Sequence, residues 1–332
     1  MMQLPIYSII IPHKNIPTLL QRCLDTIPHR DDTEIIIIDD NSDPAIVDFN
    51  HYPGTEREDV TLLLDNADKG QGHVLNVAMQ HARGRWLVFA DADDYFNYCI
   101  GALLDDYRDD EADVIHFSVS SVDCDTYVNA SRGDDHVSLI HDYINGKPCS
   151  ESMLRYFRSG PWGKLIKREV VEAHHLQFDE SRIHIEKRFC YLLGYYAKTI
   201  KADIRAAYCL TYRPTSVSYT LTDEKILDKI RIFAERDKFL AEHHITDMPE
   251  IAYHFFVGVL VDLEEQGKRD LLNRSLQILY NYGWSRSQIY SMMKKDKLGR
   301  KYRRNEMYRF IVNARMRFAI RTRFKKLLLW VK

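Results

Sequence analysis

The sequence predicts an α/β fold: a Rossmann-like, mostly parallel sheet flanked by helices, followed by a helical C-terminal extension. Three observations predict it. Short apolar runs alternate with helical spacings through the first hundred residues. Those runs are apolar on every position rather than on alternate ones, as strands covered on both faces are. From Asp223 onward only helical spacing continues.

The elements follow in order. Tyr7 to Ile11 reads as a buried strand, and Ile16 to Ile27 has helical spacing through Leu19, Leu20, Cys23, Leu24 and Ile27. Glu34 to Ile38 is a four-isoleucine strand that ends in Asp39-Asp40, and Val60 to Leu64 is a third. Gly72 to Ala82 is a helix, and Trp86 to Ala90 a fourth strand. Strand character returns at Val114 to Val119 and Thr199 to Tyr212, and helical spacing at Ser150 to Phe157 and Glu186 to Ala197. The helical extension breaks near Pro249, Gly267 and Gly283. The expected domains are 1–220, with a donor half at about 1–110 and an acceptor half at about 111–220, and the extension 221–332.

Composition narrows the class. The 332 residues are 45% apolar and 28% charged, ordinary values for a globular protein. There is no run of eighteen apolar residues, no secretion-signal pattern and no metal-ligand spacing among the six cysteines. The expectation is a cytoplasmic protein with reduced thiols. The net charge of −2 is unevenly placed. Residues 294–332 hold 15 Lys and Arg against Asp296 and Glu306, a net of +13, which leaves −15 on the rest. A basic tail on an acidic body points to an anionic surface as partner.

Three polar segments each follow a strand: Pro12-His13-Lys14-Asn15, Asp39-Asp40-Asn41-Ser42 and Asp91-Ala92-Asp93-Asp94. In open α/β sheets ligands bind beyond the carboxyl ends of the strands, so the three can converge on one site. Carboxylates crowded at a strand end need a cation, donors or water. Oxygen ligands suit Mg²⁺ or Mn²⁺, which let substrate phosphates complete the shell. The plainer reading of the same acids is a solvated turn that caps a helix.

Taken as a set, these segments resemble the GT-A glycosyltransferases of family 2, the large inverting group, over roughly residues 5 to 215. Pro12-His13-Lys14-Asn15 is similar to that family's Pro-x-x-Asn opening, and Asp39-Asp40-Asn41-Ser42 to its Asp-Asp-x-Ser. Phe89 to Asp94 resembles its metal motif, and Pro161-Trp162-Gly163-Lys164-Leu165 a segment of many capsule and lipopolysaccharide enzymes. The resemblance implies the nucleotide-diphospho-sugar transferase fold and a metal-dependent inverting transferase of hexosyltransferase type. It would move a sugar from a nucleotide sugar, expected to be UDP-linked, to a saccharide or lipid-linked acceptor in surface polysaccharide assembly. It further implies that Pro12, Lys14 and Asn15 border the nucleotide. Asp40 would accept from base or ribose, Asp91 would lie near the ribose and the metal, and Asp93 would bind Mn²⁺ or Mg²⁺.

Two positions depart from the family pattern. Where the family usually reads Gly-x-Gly-x-Ala-Arg-Asn, this chain has Gly70-Gln71-Gly72-His73-Val74-Leu75-Asn76. Leu75 removes a bidentate cation that could hold a phosphate, and Lys69 or His73 is its candidate substitute. The family's base-bearing acidic pair corresponds to Glu186-Lys187, with lysine at the usual base position. A protonated lysine accepts no proton, so Glu186 is the candidate base, with Asp94 and His184 behind it. Glu186 is equally well explained as a helix N-terminal acid. The alternative function is a weak or inactive donor-binding module in an assembly complex.

Trp162 and Lys164 are candidate acceptor-binding residues, with packing the plainer account of Trp162 and of the tyrosines Tyr191, Tyr195 and Tyr196. Arg309 to Lys332 interleaves apolar residues with Arg and Lys, as an amphipathic helix on an anionic bilayer does. The expected place is the inner face of the cytoplasmic membrane. Nucleic acid is not an expected partner, because the body is acidic and carries no recognition motif.

Overall fold

A computed structural model describes residues 4–157, 160–181, 183–213, 222–248, 254–298 and 300. The chain divides into two compact units, Met1–Tyr253 and His254–Lys332. The first is built on an eight-stranded sheet. Its strands are β1 (Tyr7–His13), β2 (Thr33–Asp40), β3 (Val60–Asp65), β4 (Trp86–Phe89), β5 (Tyr95–Phe96), β6 (Val114–Asp123), β7 (Lys164–Lys167) and β8 (Ile200–Tyr212). Their order is β3-β2-β1-β4-β7-β6-β8-β5.

β1 and β2 are buried at every position, because side chains on both faces meet helices. Their isoleucines divide by parity, as the two-residue period of a strand requires. Ile9, Ile11, Ile35 and Ile37 enter one core, and Ile10, Ile36 and Ile38 the other. The first core is covered by α1 (Pro17–Asp25), through Leu20, Cys23 and Leu24, and by α3 (Ile100–Asp106), through Ile100, Leu103 and Leu104. The second is covered by α2 (Gln71–His81), through Val74, Leu75 and Ala78, and by α7 (Glu186–Tyr196), through Phe189, Cys190 and Leu193.

The sheet is mixed, with most strands running one way, as expected, and two reversed. β3, β2, β1 and β4 run parallel, as do β6 and β8. β7 is antiparallel to both β4 and β6, and β5 is antiparallel to β8. The reversals sit on strands of four and two residues. β7 follows a turn at Gly163 (φ 67°), whose carbonyl accepts from Phe117 N. The remaining helices of this unit are α4 (Asp134–Ile144), α5 (Ser150–Ser152), α6 (Arg168–Ala173) and α8 (Asp223–Glu242). The helix expected over 150–157 is broken: α5 stops at Ser152, and Met153–Phe157 is a π-helical turn. That turn presses on α7, where a Cβ on Gly194 would stand 2.4 Å from the Arg155 carbonyl oxygen.

The second unit contains α9 (Phe256–Glu265), α10 (Arg269–Asn281) and a further helical segment at 286–298. Gly267 (φ 70°) and Gly283 (φ 91°) mark the predicted breaks after α9 and α10. Pro249 and almost all of the basic tail, 301–332, lie outside the described residues. No described helix is long and apolar enough to cross a membrane.

Candidate active site

The loops after β1 and β2 are tied into one unit. Asn15, with φ 59°, receives Asp43 N on its Oδ1 (2.7 Å) and donates its own N–H to Ser42 Oγ (2.9 Å). Pro12 is buried, in register with Ile38 of β2. Beneath them Asp39 is fully engaged. It accepts from Ser42 N (2.7 Å), Tyr52 OH (2.7 Å) and His13 Nδ1 (3.0 Å), while His13 Nε2 accepts from Ile16 N, which places the neutral ring's proton on Nδ1. Burial alone would raise the Asp39 pKa, but these donors outweigh it and hold the group at about 2.

Asp40 faces the opposite way and is poorly satisfied. Its Oδ1 is buried with no hydrogen-bond partner, and its Oδ2 lies 3.6 Å from Lys14 Nζ. Burial raises its pKa, against the pull of Lys14. Lys14 also donates to Asp68 (2.9 Å). A buried acceptor with no donor is costly, so Asp40 is poised for a ligand N–H or O–H.

Asp91, Asp93 and Asp94 place one carboxylate oxygen each within 4.8 Å of one another. Asp94 is completely buried and held by donors: Thr211 N (2.7 Å) on Oδ1 and Tyr208 OH (3.0 Å) on Oδ2. Among the described residues, the Asp91 carboxylate accepts from Gln71 Nε2 (3.2 Å), in the first turn of α2, and the Asp93 carboxylate from Arg213 (3.2 Å). Burial, then the Asp93 charge, lifts the Asp91 pKa to about 6, with Glu186 adding to the rise and Arg132 opposing it. Burial followed by the Asp91 and Asp93 charges also raises Asp94. Negative charge is therefore in excess here, and Asp91 and Asp93 keep lone pairs for a cation. Two carboxylates with open coordination suit a hard divalent ion.

α2 begins at this site. Gly70 takes φ 88°, and a Cβ on Gly72 would stand 2.0 Å from the Asp179 carbonyl oxygen, so both glycines are required. Asn76 clamps the same loop, donating to Phe178 O (2.9 Å) and accepting from Phe178 N (2.8 Å). His73 bridges Glu180 (2.9 Å) and Asp65 (3.4 Å). Leu75 is 3% exposed inside the second core, and Lys69 lies exposed beside Gly70. Neither supplies a cation within hydrogen-bonding distance of the acidic cluster.

On the other side Glu186 opens α7. Its charge is felt by Asp91, Lys164 and Asp179, and its Oε1 lies 4.0 Å from His184 Nδ1. Successive helix residues diverge by about 100°. Lys187 accordingly has its ammonium over the Phe233 ring of α8, 5.8 Å from the centroid. Burial lowers the His184 pKa to about 4. Trp162 packs on the first core, stacked on Tyr208 and edge-on to His136, and the Gly160 backbone lies against its ring. Lys164 is buried, donates to Gly160 O, and has its pKa lowered by that burial. Tyr191 is buried and Tyr195 half-exposed, and both pack on Phe239.

Three arginines around the cluster were not anticipated. Arg22 of α1 donates to Asp93 O (2.5 Å) and Cys124 O (3.3 Å). Arg132 donates to Thr211 O (2.6 Å) and stands 4.0 Å from Asp94. Arg213 meets Asp93 directly. No motif or spacing marks them, because the pairing of β5 with β8 is what brings residues 211–213 to 93–94.

Residues 8–167 match the model of Glycosyl transferase family 2. EpsH of Bacillus subtilis (strain 168), named as a glycosyltransferase, is 28% identical over 200 residues, 57% of this chain and 55% of EpsH. A teichoic acid poly(glycerol phosphate) polymerase of Staphylococcus epidermidis is 22% identical over 185 residues, 52% of this chain and 24% of the polymerase. The chain thus spans about half or less of these curated relatives. Among solved structures, S. aureus TarS 1–349 in complex with UDP superposes with a TM-score of 0.54 at 17% identity, covering 88% of this chain and 91% of that one. The same protein with UDP-GlcNAc gives 0.53 at 16% identity, over 88% and 92%. The likeness to TarS is one of fold, and with the family match it establishes that this chain carries, over residues 8–167, a glycosyl transferase family 2 domain of the GT-A fold.

Proposed function

We propose that the chain transfers a sugar, with inversion, from a nucleoside-diphosphate sugar to a saccharide or lipid-linked acceptor of a surface polysaccharide, with UDP as the expected nucleotide. One observation carries the reading. Two sets of under-satisfied acids, Asp40 and the Asp91–Asp93 pair, follow β2 and β4, which run parallel to β1 and so end on the same side of the sheet. The first suits the N–H and O–H donors of a base and ribose, bordered by Pro12, Lys14 and Asn15. The second suits a divalent ion, Mn²⁺ or Mg²⁺, held by Asp93 and Asp91. The bound ion would offset the charge that develops on the departing diphosphate. The nucleotide and nucleotide sugar held by TarS, and the teichoic acid product in the polymerase's name, support the substrate class.

In the reaction the acceptor hydroxyl oxygen forms a bond to the anomeric carbon while the bond from that carbon to the diphosphate oxygen breaks. Glu186 takes the hydroxyl proton. It is the acceptor-side carboxylate whose charge reaches Asp91, while Lys187 is turned onto Phe233. Asp94 holds the floor, fixing Thr211 and Tyr208, and Trp162 and Lys164 support the acceptor wall. The basic segment 294–332 would bring the domain to an anionic membrane face where lipid-linked acceptors lie.

A second reading has its own observation. Lysine stands where the family carries its base, and this favours a donor-binding module without turnover. Transfer and hydrolysis of radiolabelled UDP-sugars with Mn²⁺ separate the two. The proposal predicts turnover by the wild type and a loss of about a hundredfold or more in kcat in Glu186→Gln, with nucleotide affinity unchanged. Binding without turnover by the wild type supports the module.

A further inference from the structure

Glu186 stands between two basic residues, and one aromatic ring holds both of them. His184 takes φ 55° just before α7, and its carbonyl accepts from Lys187 N (3.1 Å). Its imidazole lies against Phe233 of α8, with the ring centroids 5.7 Å apart. The Lys187 ammonium lies over the same Phe233 ring, 5.8 Å from the centroid. Phe233 is itself buried, and the buried Arg236, paired with Asp237 (2.7 Å), stands over its ring at 5.5 Å. The ring is therefore a fixed part of α8. Both α7 and α8 lie beyond residues 8–167, the stretch that matches the family model.

These contacts answer a difficulty that the sequence creates. Lysine follows Glu186 directly, and the Glu186 charge reaches the acidic cluster through Asp91. Opposite charges attract strongly away from bulk water. An ammonium on a flexible four-carbon stem would be drawn to Glu186 or to the Asp91–Asp93 pair. Paired with Glu186, it would occupy the lone pair that must take the acceptor's proton. The 100° step along the helix turns the stem toward α8, where an aromatic face offers the ammonium another partner. His184 adds no second cation at neutral pH, because burial, with the Lys187 and Lys229 charges, lowers its pKa to about 4.

We propose that Phe233 of α8 is a positioning residue for the base: its ring holds Lys187 away from Glu186 and leaves that carboxylate open to the acceptor hydroxyl. The inference rests on Glu186 acting as the base, as proposed above. The test is turnover of radiolabelled UDP-glucose, UDP-galactose and UDP-GlcNAc by the full chain with Mn²⁺, with UDP affinity measured by calorimetry. Phe233→Leu keeps an apolar side chain and removes the ring face. It is expected to lower kcat about tenfold or more and to leave UDP affinity unchanged. Adding Lys187→Met to Phe233→Leu is expected to restore kcat to within about threefold of wild type, because it removes the ammonium that the lost ring releases. A purely structural part for Phe233 predicts no such rescue.

Wild-type kcat in Phe233→Leu, or a loss that Lys187→Met does not relieve, overturns the assignment while the base reading stands. Undiminished turnover in Glu186→Gln removes the base and this inference with it. A wild-type chain that turns over none of the three sugars removes the transferase reading and this one together. Should Phe233→Leu not fold, Phe233→Met, whose flexible side chain fills irregular gaps, carries the same comparison.

Discussion

Asp39 and Asp40 are adjacent and chemically identical, yet the fold gives them opposite work. Parity in β2 decides it. Asp39 lies on the face of Ile35 and Ile37, where Tyr52 and His13 donate to it, and Asp40 lies on the face of Ile36 and Ile38, where its Oδ1 has no donor. Asp39→Ala is therefore expected to lower stability by about 2–4 kcal/mol, since it orphans a buried network. Asp40→Ala should leave the melting temperature near wild type and weaken uridine binding. Equal melting temperatures for both variants would contradict the division. The Asp-Asp pair was readable as a site from its place after a strand; which aspartate is structural was not, because the partner Tyr52 comes from a loop with no pattern.

A buried histidine gives a second test at this scale. His136 donates from Nε2 to Phe117 O, and burial, with the nearby Lys164 charge, lowers its pKa to about 4. The unfolded chain takes up that proton near the ordinary histidine value of about 6.5. Stability is thus expected to fall as pH drops from about 6.5 to about 4, at up to about 1.4 kcal/mol per pH unit for this one group. His136→Gln should flatten that slope in thermal melts collected across the window. An unchanged slope would place the acid sensitivity elsewhere, with His184 the next group to test.

At the scale of elements, the start of α2 carries the most constraint. Gly72 lets the 178–180 loop close on the helix, and Asn76 locks it there. Gly72→Ala must push the Asp179 carbonyl away, at a cost of about 1–3 kcal/mol. It should also weaken whatever Gln71 and His73 help to position. A melting temperature and nucleotide affinity equal to wild type would show that the loop gives way freely. The long elements were legible because burial on both faces writes unbroken apolar runs into β1, β2 and β4, and 3.6-residue spacing into α1 and α2. The antiparallel strands were not. β5 has two residues and β7 four, too few to show a period, and their register is fixed by distant partners rather than by local spacing. The contact of Arg213 with Asp93 was missed for the same reason, since it exists only once β8 lies against β5.

For the molecule as a whole, charge is divided along the chain: +13 on residues 294–332 and −15 on the remainder. Anionic lipid attracts a basic segment by about 1 kcal/mol per Lys or Arg near the surface, and salt screens the attraction. The full chain is expected to float with vesicles of phosphatidylglycerol and to be released by high salt, while a chain ending before Lys294 stays in the soluble fraction. Equal recovery of both in the soluble fraction would contradict membrane docking through this segment. The central claim is narrower and concerns the sheet end: a nucleoside diphosphate binds there together with a divalent ion on Asp91 and Asp93. Its most direct test is the melting temperature of the full chain with UDP, with and without Mn²⁺. The account predicts a rise of about 5 °C or more for UDP with Mn²⁺ at a hundredfold excess over Kd. It predicts a smaller rise for UDP alone, and loss of the Mn²⁺-dependent part in Asp93→Asn. No shift with any nucleoside diphosphate, or an undiminished Mn²⁺-dependent shift in Asp93→Asn, would contradict it.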